Sequence, residues 1–576
     1  MDTIIRVGGS AGDGVASTGQ ILARAFSRLG YHVNAYNSYQ SVIRGGHVWY
    51  NIRVSEEPVE SIGDRIDVLL CIDHQTAEVH APLVAEGGVV VHEASKVDLS
   101  DIKLPKGAAD IGITALEAAK EIGSPLLANV VAVGAVAHAV GLDPESVRDV
   151  IQAQFGRKGE KMVEMNYQAL DKGYEFASQV EPIRKHGRVG PQRALIPGNE
   201  GIALGAMAAG LTFYAAYPMT PASTILHYLA QVGPDNGVVV KQMEDEIGVV
   251  NATIGAAWAG ARAMCGTSGG GLALMTEAIG FAGMAEVGLV IVNSMRGGPS
   301  TGLPTKTEQA DLWQMLGAGQ GDYPKALVAP QDPHDAYLAG IEATEIADRY
   351  QMPVFVASDF YLSETSMTLD KELPPVDAID RGAVVEKKEG DFLRYKITDT
   401  GVSPRSIPGT PELMFIAASD EHDEDATLIS DVLAGLPNSL KVRIDQVDKR
   451  ARKLDTLLKE LPAPEIEGET GPILISWGST APILREARRQ MAKDGVETRQ
   501  LTLRWILPFH TDAVREMLEG ETFYVIEASS SGQLEDYIRM RTGLWATGNV
   551  RRYDGEPFTP GYITTHFAPL VQEVVA

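Results

Sequence analysis

Cysteine is nearly missing from this chain: Cys71 and Cys265 are its only two. They lie far apart, each inside apolar sequence, so neither a disulfide framework nor a Cys-ligated zinc or iron–sulfur site is expected within the chain. Positive charge is also short. Lys and Arg number 50 against 76 Asp and Glu, a net charge of −26, and the electrostatic footprint of a nucleic-acid or anionic-membrane binder is missing. No run of about 18 or more apolar residues occurs, and MDTIIRVGGSAGDG has no charged stretch followed by an apolar one. These absences read as a soluble, cytoplasmic protein without nucleic-acid or membrane partners. What is present suits globular structure: 44% hydrophobic and 22% charged residues supply several cores. The length of 576 residues, at roughly 150 per domain, predicts three to four domains.

Short apolar strands at Thr3 to Val7, Tyr31 to Tyr36, His47 to Val54, Asp67 to Ile72 and Gly88 to His92 alternate with helix-period runs such as Thr18 to Leu29, which predicts an α/β domain over residues 1–185. Pro182, Pro191 and Pro197 punctuate a basic linker. A Gly- and Ala-rich α/β region follows over 195–360, and then a looser, highly charged connecting region over 361–470. A third α/β unit over 471–576 carries the strands ILISW and FYVIE and a helix from Ala481 to Lys493. The fold class is therefore α/β, with several doubly wound domains.

Gly8, Gly9, Gly12 and Gly14 follow a strand and open a helix, where backbone N–H groups can receive a phosphate. Their spacing is not that of the dinucleotide fingerprint, and a ligand-free tight turn reads equally well. Gly12-Asp13-Gly14 followed by Asn37 imitates a magnesium–diphosphate element, with short spacing and one Asn in place of two. In Arg44-Gly45-Gly46-His47 a cation flanks two glycines, as suits an anionic ligand near the backbone, or simply a turn. Tyr217-Pro218-Met219-Thr220-Pro221 stiffens the backbone around the Thr220 hydroxyl. Glu246 heads a helix of small and apolar residues, where a carboxylate is costly unless it has a partner; Glu244 and Asp245 suit the helix N-terminus instead. Thr267, Ser268 and Gly269 enter the next helix, and Arg296 follows a strand, the position at which a cation commonly faces ligand.

YPMTP, MEDEIGVVNATIGAAWAGARAMCGTSGGGLALM, MRGGPSTGLPTKTEQADL and SDEHDE, in this order, resemble the α subunit of the 2-oxoacid:ferredoxin oxidoreductases with the family's γ module fused in front. The resemblance covers nearly the whole chain. It implies a γ-type, coenzyme A-associated domain at 1–185, a pyrimidine-type thiamine diphosphate domain at 195–360 and a transketolase C-terminal-like domain at 471–576, the last concerned with packing and dimer contact. It assigns Glu246 to the aminopyrimidine of thiamine diphosphate, Thr220 and Arg296 to the substrate carboxylate, and Tyr217, Pro218, Thr267, Ser268 and Gly269 to the pyrimidine pocket. Gly12, Gly14, Arg44 and His47 become candidates for coenzyme A. Asp420, in SDEHDE, is placed at the site entrance, and Arg44, His47 and Lys306 are the cations available for a second substrate carboxylate.

With two lone cysteines the chain cannot hold a four-iron cluster. The resemblance therefore implies a β subunit carrying the [4Fe-4S] cluster, the Mg2+ and the diphosphate end, ferredoxin as electron acceptor, coenzyme A as co-substrate, and a dimer of αβ heterodimers; no metal site is expected in this chain. The fused layout looks most like the branch that converts 2-oxoglutarate to succinyl-CoA and carbon dioxide. Alternatives are pyruvate or branched-chain 2-oxoacids and, in other classes, a thiamine-dependent dehydrogenase or transketolase component or a non-catalytic regulatory subunit.

Overall fold

The computed structural model describes residues 2–40, 45–388, 390–429 and 437–575, so Arg44 lies outside the described residues. Four segments are legible in the sequence, whereas the chain packs as two compact units. The first takes Met1–Pro197, Glu364–Glu372 and Thr559–Ile563, and the second takes Gly198–Ser363, Leu373–Phe558 and Thr564–Ala576.

The first unit is built on an eight-stranded sheet in the order Ala109–Ile113, Val84–Glu93, Ile66–Cys71, Thr3–Ser10, His47–Ser55, His32–Ser38, Thr365–Thr368 and Leu195–Pro197. The strands up to Thr3–Ser10 run parallel. From there the neighbours are antiparallel, and the register pairs Ser10 with His47, which sets the two glycine-rich segments side by side. The helix Val15–Arg28 buries Ile21, Leu22, Ala25 and Phe26 on one stripe, as an amphipathic helix on a sheet must. By contrast Ala128–Val140 (ANVVAVGAVAHAV) is apolar all round and buried nearly throughout.

The second unit holds two sheets around a shared apolar core that runs from Val249, Leu272 and Ile291 to Ile475, Trp477 and Phe523. Its seven-stranded sheet has the order Trp505–Leu507, Ala326–Val328, Pro353–Asp359, Leu289–Met295, Ala263–Thr267, Phe213–Ala216 and Val239–Gln242, parallel except for Trp505–Leu507. The five-stranded sheet runs Ile466–Glu467, Arg499–Thr502, Ile473–Ser476, Phe523–Glu527 and Gly548–Arg551. The charged stretch read as a loose excursion carries a long helix, Pro437–Glu460. Its packed face carries charges beside the buried Leu457: Lys449 and Lys453 are fully buried against the fully buried Glu286, Lys453 Nζ lying 2.7 Å from Glu286 Oε2. Those two ammonium groups hold the Glu286 carboxyl well below the ordinary carboxylate range against the desolvation that opposes them. Among the described residues no helix is long and apolar enough to cross a membrane.

Candidate active site

The site of the second unit forms where the parallel strands Ala263–Thr267 and Leu289–Met295 end, the edge of an α/β sheet at which successive loops converge. Glu246 is the first residue of the helix Glu246–Trp258, and Asp245 is its N-cap, accepting the Gly248 N–H at 2.7 Å. Asp245 thus meets the demand of the helix end, and Glu246 is turned inward. It is 4% exposed, and its Oε1 is buried with no hydrogen-bond partner. A Cβ added to Gly271 would stand 2.1 Å from Thr267 Oγ1 and 2.6 Å from Glu246 Oε1. Glu246 and Thr267 therefore converge on a space that only a glycine leaves open. The Thr267 hydroxyl reaches the Met219 sulfur at 3.9 Å. Ser268, also fully buried, occupies the N-cap of the helix Gly269–Met284 without capping it, and its Oγ has no partner.

Arg296 and Thr220 meet as well, but through the backbone: Arg296 Nη1 donates to the Thr220 carbonyl at 2.7 Å. Arg296 Nε is buried and unpaired. Burial pushes the guanidinium below its ordinary value, and Asp311 pulls it the other way. Tyr217 and Pro218 stand exposed; Met219 and Thr220 are the members of that segment that touch other site residues.

Beside these groups lies an open cleft of about 650 Å³, lined among others by Met219, Gly269, Arg296, Ser300, Thr301, Glu308, Asp311, Gln314, Ser530, Ser531 and Gln533. Sequence reasoning missed several of these. Asp311 accepts from Asn293 Nδ2 at 3.1 Å and lies so close to the helix start that a Cβ on Gly269 would stand 2.5 Å from its Oδ2. Burial raises the carboxyls of both Asp311 and Glu308. Gln309 anchors the wall. Its Nε2 donates to Asp359 Oδ2 at 3.1 Å and to the Trp477 carbonyl at 3.3 Å, and its Oε1 accepts from Thr480 Oγ1 at 3.0 Å. The C-terminal segment, expected to serve packing and dimer contact, also contributes Ser530, Ser531 and Gln533 to the cleft. The polar cluster TEQAD within PTKTEQADL was the available signal for Glu308, Gln309 and Asp311; nothing in SSSGQ marked the serines.

One expectation is corrected here. Lys306 is not a free cation for a second carboxylate, because its Nζ is paired with Glu556. In SDEHDE, Glu421 pairs with Arg443 and Arg450, and His422 is buried with its ring centroid 3.9 Å from that of Tyr395. Asp420 is exposed and its carbonyl accepts from His422 Nδ1 at 2.8 Å, while the lining of the cleft does not include it.

In the first unit, Gly14 is the left-handed N-cap of Val15–Arg28 at φ 80°, and a Cβ there would stand 1.8 Å from the Asn129 amide nitrogen. Gly12 is left-handed as well. Asp13 closes its own loop, accepting the Ser10 N–H at 3.1 Å. The backbone of Gly45 and Gly46 clasps Ala11, at 3.3 and 3.2 Å. His47 Nε2 lies 2.8 Å from His80 Nε2, a partner that sequence reasoning did not single out. Gly12 and Asp13 border a cavity of about 210 Å³ that Lys96 and Asn129 also line.

The chain is similar to known proteins over nearly its whole length. Residues 204–434 match the thiamine diphosphate-binding domain of the pyruvate flavodoxin/ferredoxin oxidoreductases, and residues 4–176 match the pyruvate ferredoxin/flavodoxin oxidoreductase domain. The chain is 30% identical to the α subunit of 2-oxoacid:ferredoxin oxidoreductase 2 of Aeropyrum pernix, over 97% of this chain and 96% of that one. It is also 30% identical to the 2-oxoglutarate oxidoreductase subunit KorA of Mycobacterium tuberculosis, over 93% and 87% of the two chains. The solved structure of the 2-oxoglutarate:ferredoxin oxidoreductase of Magnetococcus marinus, with 2-oxoglutarate, coenzyme A and succinyl-CoA bound, superposes with a TM-score of 0.91 at 31% identity, covering 99% of this chain and 100% of that one. With an inward-turned glutamate, an arginine-lined cleft and relatives matched from end to end, the chain belongs to the α subunits of the 2-oxoacid:ferredoxin oxidoreductases.

Proposed function

We propose that this chain is the α subunit of a 2-oxoglutarate:ferredoxin oxidoreductase, which with coenzyme A converts 2-oxoglutarate to succinyl-CoA and carbon dioxide, reversibly, and passes electrons to ferredoxin. The observation that carries the chemistry is Glu246 Oε1, a buried carboxyl oxygen left without a donor beside a glycine that keeps space open. Choice of 2-oxoglutarate is supported by the molecules bound in the Magnetococcus marinus enzyme and by the name of the Mycobacterium tuberculosis relative.

Thiamine diphosphate, when bound, supplies the carbanion chemistry that releases carbon dioxide from a 2-oxoacid. Glu246 fits its pyrimidine end: the orphaned Oε1 takes a hydrogen bond from a ring-nitrogen proton, or holds that proton itself, in a pocket walled by Thr267 and Ser268. Buried hydroxyls and a buried carboxyl keep water out of that exchange, which strengthens it. Arg296 and the Thr220 hydroxyl take the substrate's 1-carboxylate, Arg296 being steadied by the Thr220 carbonyl so that its remaining N–H groups face substrate. With Lys306 engaged by Glu556, the hydroxyls of Ser300, Thr301, Ser530 and Ser531 are donors that the lining of the described cleft offers to the distal carboxylate. The glycine loops of the first unit receive coenzyme A. A β subunit supplies the cluster, the Mg2+ and the diphosphate grip in a dimer of αβ heterodimers.

Anaerobic co-purification with the β subunit, followed by coenzyme A-dependent viologen reduction with 2-oxoglutarate, pyruvate and 2-oxoisovalerate in parallel, tests the proposal. Activity confined to 2-oxoglutarate is expected. Preference for another acid overturns the substrate while keeping the chemistry, and loss of the coenzyme A requirement overturns the role of the first unit.

A further inference from the structure

Two glutamines stitch together the segments that line the cleft of the second unit. One segment brings Glu308, Ala310 and Asp311; the other is the loop between the strand Phe523–Glu527 and the helix Gln533–Thr542, with Ser530, Ser531 and Gln533. The loop is first tied to its own surroundings. Fully buried Glu527 accepts the N–H groups of Leu534 and Glu535 at 2.9 and 3.1 Å, satisfying the first turn of that helix. Ser529 Oγ donates to Glu527 Oε2 at 3.0 Å and accepts the Gly532 N–H at 3.1 Å, and Arg551 Nη1 donates to the Ser530 carbonyl at 3.2 Å. Within this loop Ser530 and Ser531 are exposed, whereas Ala528, Ser529 and Gly532 are buried. The glutamines then join it to the other segment. The backbone N–H of Gln309 donates to the Ala528 carbonyl at 2.6 Å, and Gln309 Oε1 accepts the Ala528 N–H at 3.4 Å. Gln533 reaches the opposite way: its Nε2 donates to the Ala310 carbonyl at 2.7 Å and its Oε1 accepts the Trp313 N–H at 3.1 Å. An amide carries a donor and an acceptor on one carbon, so it can hold a peptide C=O and a peptide N–H together, which a carboxylate cannot.

We infer that Gln309 and Gln533 are positioning residues that fix Ser530 and Ser531 in the cleft, and that they thereby set the preference for a 2-oxoacid with a distal carboxylate over one without it. This rests on the reading that Arg296 takes the 1-carboxylate and the cleft hydroxyls take the distal one; the stitching of the two segments does not. A hydroxyl donates well only over oxygen separations of about 2.5–3.0 Å, so a loop displaced by about 1 Å forfeits the bond. A monocarboxylate asks nothing of the serines. The glutamines therefore act on discrimination between acids, through the loop they hold, and leave the decarboxylation itself to Glu246 and Arg296.

The test uses the enzyme assembled anaerobically with its β subunit, with kcat and KM measured for 2-oxoglutarate and for 2-oxovalerate, which has the same carbon count and no distal carboxylate. Gln533→Met keeps the length of the side chain and removes both of its bonds. It should lower the kcat/KM ratio of 2-oxoglutarate to 2-oxovalerate about tenfold, the scale of one hydrogen bond, with the change carried by KM rather than kcat. Gln309→Met should shift the ratio the same way. It also takes a donor from buried Asp359, so its thermal unfolding is recorded beside its kinetics, and Gln533→Met carries the test if Gln309→Met does not fold. Replacing Ser530 and Ser531 together by Ala should lower the ratio as well, and in that background Gln533→Met should lower it further by less than about twofold. A tenfold effect that persists without the serines shows that Gln533 does not act through them and refutes the inference. An equal fall for both acids, the mark of a structural role alone, refutes it too, as does an unchanged ratio. A wild-type enzyme that favours 2-oxovalerate overturns the substrate reading before any variant is made, and this inference with it.

Discussion

Replacing Glu246 by Gln keeps the shape of the side chain and removes its ability to hold a proton. Two consequences of opposite sign follow. In the free chain, Oε1 is a buried acceptor with no donor, an arrangement that costs about 1–3 kcal/mol. A neutral amide is cheaper to bury than a carboxylate, so the variant should unfold at equal or higher denaturant concentration, gaining on the order of 1 kcal/mol. In the assembled enzyme, loss of a positioned proton-holding group removes about 10²–10⁴-fold in rate, which at about 1.4 kcal/mol per decade is roughly 3–5 kcal/mol of transition-state stabilisation. The assay is anaerobic viologen reduction with saturating 2-oxoglutarate and coenzyme A, alongside urea denaturation of the α chain alone. A rate loss of less than about tenfold, roughly 1.4 kcal/mol, would refute the assignment of Glu246, since one missing hydrogen bond accounts for that much. A destabilised free chain would show that the carboxyl is satisfied there after all. Only the combination of an intact or firmer fold with a crippled enzyme supports the reasoning.

Gly271→Ala places a methyl group 2.1 Å from Thr267 Oγ1 and 2.6 Å from Glu246 Oε1; thermal unfolding should show a loss of about 1–3 kcal/mol, with thiamine diphosphate affinity falling in parallel by titration. Arg296→Lys keeps the charge but cannot serve both the Thr220 carbonyl and a carboxylate in a planar fork, so kcat/KM should fall about tenfold or more for every 2-oxoacid tested, monocarboxylates included. Glu286→Gln leaves Lys449 and Lys453 with an uncompensated buried charge and should cost about 3–5 kcal/mol in urea. Because the Glu286 carboxyl is held below its unfolded value, its contribution is complete above the ordinary carboxylate range and disappears as pH falls through the depressed value, so the wild type should lose its advantage over the variant on acidification. Glu364 has the opposite sign: burial raises its carboxyl to about 7, so the native state binds the extra proton and stability declines as pH rises from the ordinary range toward 7. Glu364→Gln should therefore be more stable than wild type at pH 8 by about 1–3 kcal/mol and equal to it near pH 4, as read by denaturation at both values.

Much of the fold was legible because its strands are apolar and its helices periodic. Thr3–Ser10, His47–Ser55 and Ile66–Cys71 fall where the alternation placed them, and so does Thr480–Lys493. The helix Pro437–Glu460 was missed for a physical reason: its inward face carries Gln446, Lys449, Arg450 and Lys453 beside Leu457, all buried, and hydrophobic periodicity is blurred where ion pairs share the packed face. Long-range pairing was equally invisible. Nothing in TSMT or LIP says that these short strands complete a sheet begun at residue 3. At the site, Glu246 and Arg296 were found because a charge beside apolar sequence is conspicuous, whereas Asp311 and Ser530 are ordinary loop residues until the fold brings them to one cleft.

The strand Thr365–Thr368 makes the first unit dependent on the timing of its own synthesis. The edge of His32–Ser38 that it covers emerges from the ribosome long before residue 365 does. At about 5–20 residues per second the interval after Pro197 is made is roughly ten to thirty-five seconds, and throughout it the nascent chain presents an uncovered row of backbone donors and acceptors, the kind of edge on which neighbouring chains pair. A polysome carrying many such chains would hold them side by side in that state. The fused arrangement thus places a demand on chaperones during translation that a shorter polypeptide, closing its own sheet, would escape.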